Sequence, residues 1–256
     1  MSTIYEGGHA KNLASLKKIT QLGTDIGAAY SPVPTDITVA GLNTLYTNSD
    51  AALTAVKNTY NDWKNAINAR KIAFFPIKQF CTQLLGILQS SGANQQTVDN
   101  YTSLLVKVRG IKLSKPDEPN ANKAIVNDPP PVELPITHSA SQVSFDNMIE
   151  HFDKMIKLLA SVPSYNPSEA QFKIINLNAQ LAALKTLNFA GNDTWIKLTL
   201  ARINRNKFFY ADVTGMLDIA RKVKNYIKGK FGAASQEYKK AAAIKFVRVV
   251  AKKKAK

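Results

Sequence analysis

The chain has 256 residues, 45% of them apolar, enough for one large core or two modest ones. Cys81 is the sole cysteine, which excludes an internal disulfide; its setting between Phe80 and Thr82 reads as a small core residue. No window holds the roughly 18 uninterrupted apolar residues of a membrane span, and Met1 to Asn12 has no apolar run that would make a secretory signal. The expectation is a cytoplasmic protein, with export by a signal-less route left open.

The net charge of +16 is unevenly placed. Residues 1–110 carry 10 Lys/Arg against 6 Asp/Glu, residues 111–145 carry 3 against 4, and residues 146–256 carry 21 against 8. Residues 197–256 alone hold 17 against 3, so the excess gathers at one end. Such a balance points to an anionic partner or to a solvated face.

A first helix is expected from about Lys11 to Ala29, stopping before Ser31-Pro32, because a residue ahead of proline is pushed out of helical geometry. Asp36 is the candidate N-cap of the next helix. Val39, Leu42, Tyr46, Ser49, Leu53, Val56, Tyr60, Trp63 and Ile67 step by threes and fours, the spacing of one stripe on a helix of roughly 30 residues. Pro76 breaks that element. Ile77, Phe80, Leu84 and Ile87 then mark a third helix ending at Gly92, and Asn94 can cap a fourth carrying Val98, Tyr101, Leu104, Leu105 and Val108.

Residues 111–141 read as a Pro-rich linker, with Lys115-Pro116-Asp117-Glu118-Pro119 followed by Pro129-Pro130-Pro131 and Pro135. Beyond it, Phe145, Met148, Ile149, Phe152, Met155, Ile156 and Leu159 describe an amphipathic helix. Ser168 is the candidate cap of a helix bearing Ile174, Leu177, Leu181 and Leu184; Gly191-Asn192-Asp193 should interrupt it, with Asp193 capping the next element. Ile196, Leu200, Ile203 and Tyr210 lead that element. Met216, Ala220, Val223 and Ile227 continue it past an irregularity near Gly215, and Ser235 caps a last helix. Ile244 to Val250 alternates and is β-branched, which favours a short β strand or an extended arm, while the corresponding Leu104–Arg109 reads as helical, so its type stays open.

The two halves use the same words in the same order. Tyr30-Ser31-Pro32 is echoed by Tyr165-Asn166-Pro167, Leu42-Asn43 by Leu177-Asn178, and Ile67-Asn68 with Lys71 by Ile203-Asn204 with Lys207. Gly92-Ala93 returns as Gly232-Ala233, and Val108-Arg109 as Val247-Arg248. The expected architecture is all-α: two tandem, related four-helix bundle units, residues 1–110 and 142–256, joined by the 111–141 linker. Residues 12–32 and 66–75 resemble the first half of a family of uncharacterised two-repeat helical proteins of Bacteroidota. Residues 139–167, 201–210 and 231–238 are similar to its second half. The resemblance implies a lineage and a two-repeat helical build, and brings no activity, cofactor or site residue with it.

Motifs for chemistry are sparse. His9 and His138 fall in expected loops, and His151 lacks a metal-ligand partner at the three- or four-residue step. No phosphate loop, nucleophile elbow or paired carboxylates nominate a reaction, so no catalytic residue, metal or cofactor is expected. Asn68 and Lys71, with Asn204 and Lys207, read as an inherited interhelical hydrogen bond in preference to a pair of ligand contacts. The rings of Tyr30 and Tyr165 are expected to pack over helix ends.

The strongest interaction signal is basic. Arg202, Arg205 and Lys207 form one group. The candidate contacts to nucleic acid or another polyanion are Arg221, Lys222, Lys224, Lys228 and Lys230; Lys239, Lys240, Lys245 and Arg248; and Lys252, Lys253, Lys254 and Lys256. Phe208, Phe209, Tyr210 and Tyr226 interleave with them as core rings or stacking platforms. The expected function is a non-enzymatic binding or scaffold protein whose basic second repeat meets a polyanion without sequence specificity. The alternative is a structural protein that self-associates through pseudo-symmetric helical faces.

Overall fold

Three-four spacing of apolar residues dominates the sequence, and a computed structural model of the chain, which describes residues 6–110 and 144–249, builds its regular structure from helices alone. Eight α-helices follow in order: α1 (Glu6–Ile26), α2 (Val39–Phe74), α3 (Ile77–Ser90), α4 (Gln95–Arg109), α5 (Phe145–Ala160), α6 (Ile174–Tyr210), α7 (Met216–Phe231) and α8 (Gln236–Ala243). Short 3₁₀ turns precede the two long helices, Thr35–Ile37 before α2 and Ala170–Phe172 before α6. No strand occurs among the described residues. The expected Pro-rich linker and the terminal lysines Lys252 to Lys256 lie outside them.

The helices form two compact units, residues 1–65 with 193–256 and residues 66–192. Each draws on both halves of the sequence. In the first, α1 packs with α7 and α8; in the second, α4 packs with α3 and α5. The first core holds Leu16, Ile19, Leu42, Leu53, Phe209, Met216, Val223 and Ile227. The second holds Phe74, Ile77, Leu84, Leu88, Tyr101, Phe152, Leu159, Leu177 and Leu184. Cys81 is fully buried in the second core, and burial pushes its thiol up to about 12.

Several helix ends have the causes that their sequence suggests. Asn94 and Ser235 accept hydrogen bonds from the amides of Thr97 and Tyr238, at 2.9 and 3.1 Å. Others do not. Thr38, not Asp36, caps α2, its Oγ1 accepting from the Gly41 amide at 3.1 Å; Asp36 sits in the preceding 3₁₀ turn and pairs with Lys222. Ser168 bonds the Glu169 carboxylate and stands well ahead of the start of α6. The expected break at Gly191-Asn192-Asp193 is absent, and α6 runs unbroken for 37 residues. The reason is packing: the Arg70 guanidinium lies where a Gly191 side chain would stand, 3.1 Å from the position of a Cβ. Arg70 also donates to Asn188 at 3.0 Å, and Asn188 donates to Asp146 at 2.7 Å, so α2, α5 and α6 are tied together at this glycine.

The repeated tyrosines do the same work in both units. Tyr30 donates its hydroxyl to the Ile37 carbonyl at 2.6 Å, and Tyr165 donates to the Phe172 carbonyl at 3.0 Å. Both rings are buried, and each hydroxyl braces the 3₁₀ turn that launches a long helix. Burial, with Tyr226 adding to it, pushes Tyr30 up to about 12; burial alone does so for Tyr165. A phenol held protonated above its ordinary value leaves stability intact below about pH 10 and removes it as pH climbs toward 12. Replacing both residues by Phe should cost about 1 kcal/mol per hydroxyl near neutral pH. It should also flatten the loss between about pH 10 and 12 relative to wild type. Urea unfolding of the two proteins across that range measures both effects.

Candidate polyanion interface

A basic residue is available to a partner only if the fold does not already use its charge. The cations of α7 are largely in use. Arg221 pairs with Asp218 at 2.9 Å and Lys222 with Asp36 at 2.7 Å. Lys230 donates to Ser31 Oγ at 3.0 Å and to the Tyr226 hydroxyl at 3.3 Å, and Lys228 lies 5.8 Å from the Tyr238 ring. Lys224 is half-buried, donates to the Ile244 carbonyl and lies 5.7 Å from the Phe246 ring. Burial first, and then the neighbouring Lys245, hold its ammonium below the ordinary lysine range.

The Arg202 group also divides. Arg205 is buried and bonds the Asn206 side chain at 2.9 Å, and Arg202 lies over the Trp195 ring at 5.8 Å. Of the interleaved aromatics, Phe209 is fully buried and Phe208 packs against the same core, while Tyr226 meets Tyr30 edge to face at 5.3 Å. These rings are packing residues. Lys239, Lys240 and Lys245 differ from the α7 cations: all three are exposed and form no ion pair or hydrogen bond through their ammonium groups with any described residue.

Residues 244–249 are extended but form no strand, which corrects the expectation of a β arm. A β arm needs a strand partner, and this one has a helix instead. Asn12 of α1 donates its side-chain amide to the Val247 carbonyl at 2.7 Å and accepts from the Val247 amide at 2.9 Å. Its one carboxamide thus satisfies both backbone groups of a residue in an arm 235 positions away, as a neighbouring strand would. Ser15 bonds the Lys245 carbonyl at 2.8 Å, and the Val249 amide donates to the Tyr210 hydroxyl at 3.2 Å. Arg248 lies 5.4 Å from the Tyr210 ring.

The clamp brings α1 into the basic surface. Lys11, Lys17 and Lys18 are exposed and, like Lys245, form no ion pair through their ammonium groups with any described residue. Their place in this surface has no signal in the sequence, since nothing in residues 11–18 announces that the arm will lie beside that helix. By sequence, the unit containing α1, α7 and α8 carries 22 Lys/Arg against 9 Asp/Glu, and the other carries 12 against 9.

The remaining candidates resolve as follows. Asn68, Lys71, Asn204 and Lys207 are all exposed and make no side-chain hydrogen bond with described residues, so the expected interhelical bond is absent. Asn204 and Lys207 instead line a hollow with Thr44, Leu45 and Asn48 of α2. His9 is not in a loop: it is buried in α1 and meets Phe209 edge-on at 5.2 Å. His151 is buried in α5, where burial, then Lys107 and Lys154, hold its pKa below the ordinary value. Among the described residues no group of His, Cys, Asp or Glu could hold a metal ion, and no helix is long and apolar enough to cross a membrane. Searches against protein-family models, curated proteins and solved structures return no match to this chain.

The clamp is testable by itself. Asn12→Ala removes two hydrogen bonds worth about 1 kcal/mol each. It should release the arm while leaving the helices in place. Hydrogen exchange at the Val247 amide should accelerate markedly, with helical circular dichroism unchanged.

Proposed function

We propose that this protein is a non-enzymatic, cytoplasmic binding or scaffold protein built from two related four-helix repeats joined by the 111–141 segment. Its basic unit contacts nucleic acid or another polyanion without reading sequence. The observation that carries this reading is the set of lysines that no carboxylate among the described residues neutralises. Lys11, Lys17, Lys18, Lys239, Lys240 and Lys245 all belong to the unit with 22 Lys/Arg against 9 Asp/Glu, and none is paired with a described residue. Surface cations without partners attract phosphates and release condensed counterions on contact, and this needs no base-specific geometry. A labelled single-stranded oligonucleotide should therefore bind with an affinity that falls steeply between low and high salt, as read by fluorescence anisotropy. Affinity that is absent or indifferent to salt overturns the reading.

A second reading, self-association, is favoured by a different observation. Ile196, Leu200 and Ile203 recur at helical spacing on α6 and are 56%, 59% and 50% exposed. Trp195 and Tyr60 are also exposed, and Trp63 bridges them with ring centroids 5.4 and 5.8 Å away. An apolar stripe on the outer side of a helix is the kind of surface that a second copy covers. Leu200→Glu should leave the fold intact, since the side chain faces solvent, and should abolish any concentration-dependent growth in mass seen by sedimentation velocity. A wild-type chain that stays monomeric at high concentration removes this reading.

A further inference from the structure

The C-terminal arm and α1 enclose a groove of about 770 Å³. Its helical wall is built on one stripe: Lys11, Ser15 and Lys18 stand at i, i+4 and i+7. The other wall is the arm, whose extended backbone turns alternate side chains the same way, so that Lys245, Val247 and Val249 all line the groove. Phe246 and Arg248, the residues between, go to the Lys224 ammonium and the Tyr210 ring. Gly8 lets the two walls close, since a Cβ there would come within 2.6 Å of Val249 Cγ2. Among the described residues three lysines and no carboxylate line this space; Asn12 and Ser15, whose side chains bond the arm, are the other polar members, and the rest is apolar.

We propose that this groove is the phosphate-tracking site of the protein and takes an extended phosphodiester chain, that of a single-stranded nucleic acid. The inference rests on the polyanion reading above and deepens it by naming the site. Lys11 and Lys18 are seven residues apart on a helix, a rise of about 10 Å. Charges spread over that length suit successive phosphates of an extended strand better than one compact anion. Lys245 adds a third contact from the opposite wall. The apolar lining suits the faces of sugars and bases between phosphates and offers no hydrogen-bond code for base edges, which fits binding without sequence preference. The depressed Lys224 ammonium beneath the arm agrees with a site already crowded with positive charge. The groove has two walls only while the arm is docked, so Asn12 acts as a positioning residue: it touches the arm and holds the second wall in place.

The test uses the full chain and a fluorescein-labelled oligo-dT of about twenty nucleotides. Lys11→Gln/Lys18→Gln/Lys245→Gln should weaken binding about tenfold or more. It should also lower the slope of log affinity against log salt by about 2, at roughly 0.7 for each phosphate of a single strand that is no longer neutralised. A control, Lys57→Gln/Lys173→Gln/Lys185→Gln, removes the same charge from exposed lysines elsewhere and should stay within about twofold of wild type. Asn12→Ala removes no charge, yet should weaken binding several-fold because it frees the arm. A groove variant that matches the control overturns the groove while leaving polyanion binding intact. A wild-type chain without salt-sensitive binding overturns both.

Discussion

Two helices of unusual length impose the constraint on which the rest of the fold depends. Helix α2 gives Leu42 and Leu53 to one hydrophobic core and Phe74 to the other. Helix α6 gives Leu177, Leu181 and Leu184 to one and Phe209 to the other. A helix that feeds two cores cannot break between them without setting free the residues beyond the break. This is why Gly191-Asn192-Asp193, a sequence that reads as an interruption, is held helical by the Arg70 guanidinium and the Asn188 amide. It is also why both long helices start from a braced turn. The hydrogen bonds of Tyr30 and Tyr165 fix where each helix begins, and hence which of its residues face which core.

The same constraint redistributes charge. With α2 and α6 shared, the helix that opens the chain packs against the helices that close it, and α4 packs against α3 and α5. The sequence places its positive excess late, in residues 197–256, yet the folded unit that carries it also includes α1 with Lys11, Lys17 and Lys18. A contrast between two stretches of sequence becomes a contrast between two composite units. The cationic late helix α7 is then less of a ligand surface than its composition suggests, because Asp36 and Ser31 from the early part of the chain occupy Lys222 and Lys230.

Elements were legible where local chemistry decides them. Three-four periodicity marked most of the helices, and short polar caps such as Asn94 and Ser235 closed on their own third amide. The repeated Tyr-x-Pro words were visible as packing residues, though not the carbonyls that their hydroxyls would find. Illegible were the features set by partners distant in sequence. Asp36 looks like a cap until Lys222 arrives from 186 residues away, and residues 244–250 look like a strand until Asn12 supplies a strand's hydrogen bonds from a helix. Asn204 and Lys207 adjoin the apolar stripe in sequence, and the stripe itself faces water at Ile203 and Leu200. Periodicity reports that a helix has an apolar face; it does not report how many apolar faces it has, nor which one the core takes.

Over its final turns α6 buries Leu198, Arg205 and Phe209 on one side and exposes Ile196, Leu200 and Ile203 on the other. Burying an arginine while exposing isoleucine and leucine inverts the usual preference of side chains for core and solvent. Arg205 resolves its half of the inversion internally, through the Asn206 carboxamide. The apolar half has no such internal answer. Each of those side chains leaves about half of its area in water, where covering it would yield on the order of 1 kcal/mol per residue. The outer face of α6 and the groove beside α1 therefore ask for different things. One is apolar and the other cationic, and they share no residue, so the two proposed contacts, with a second copy and with a polyanion, would not compete for the same side chains.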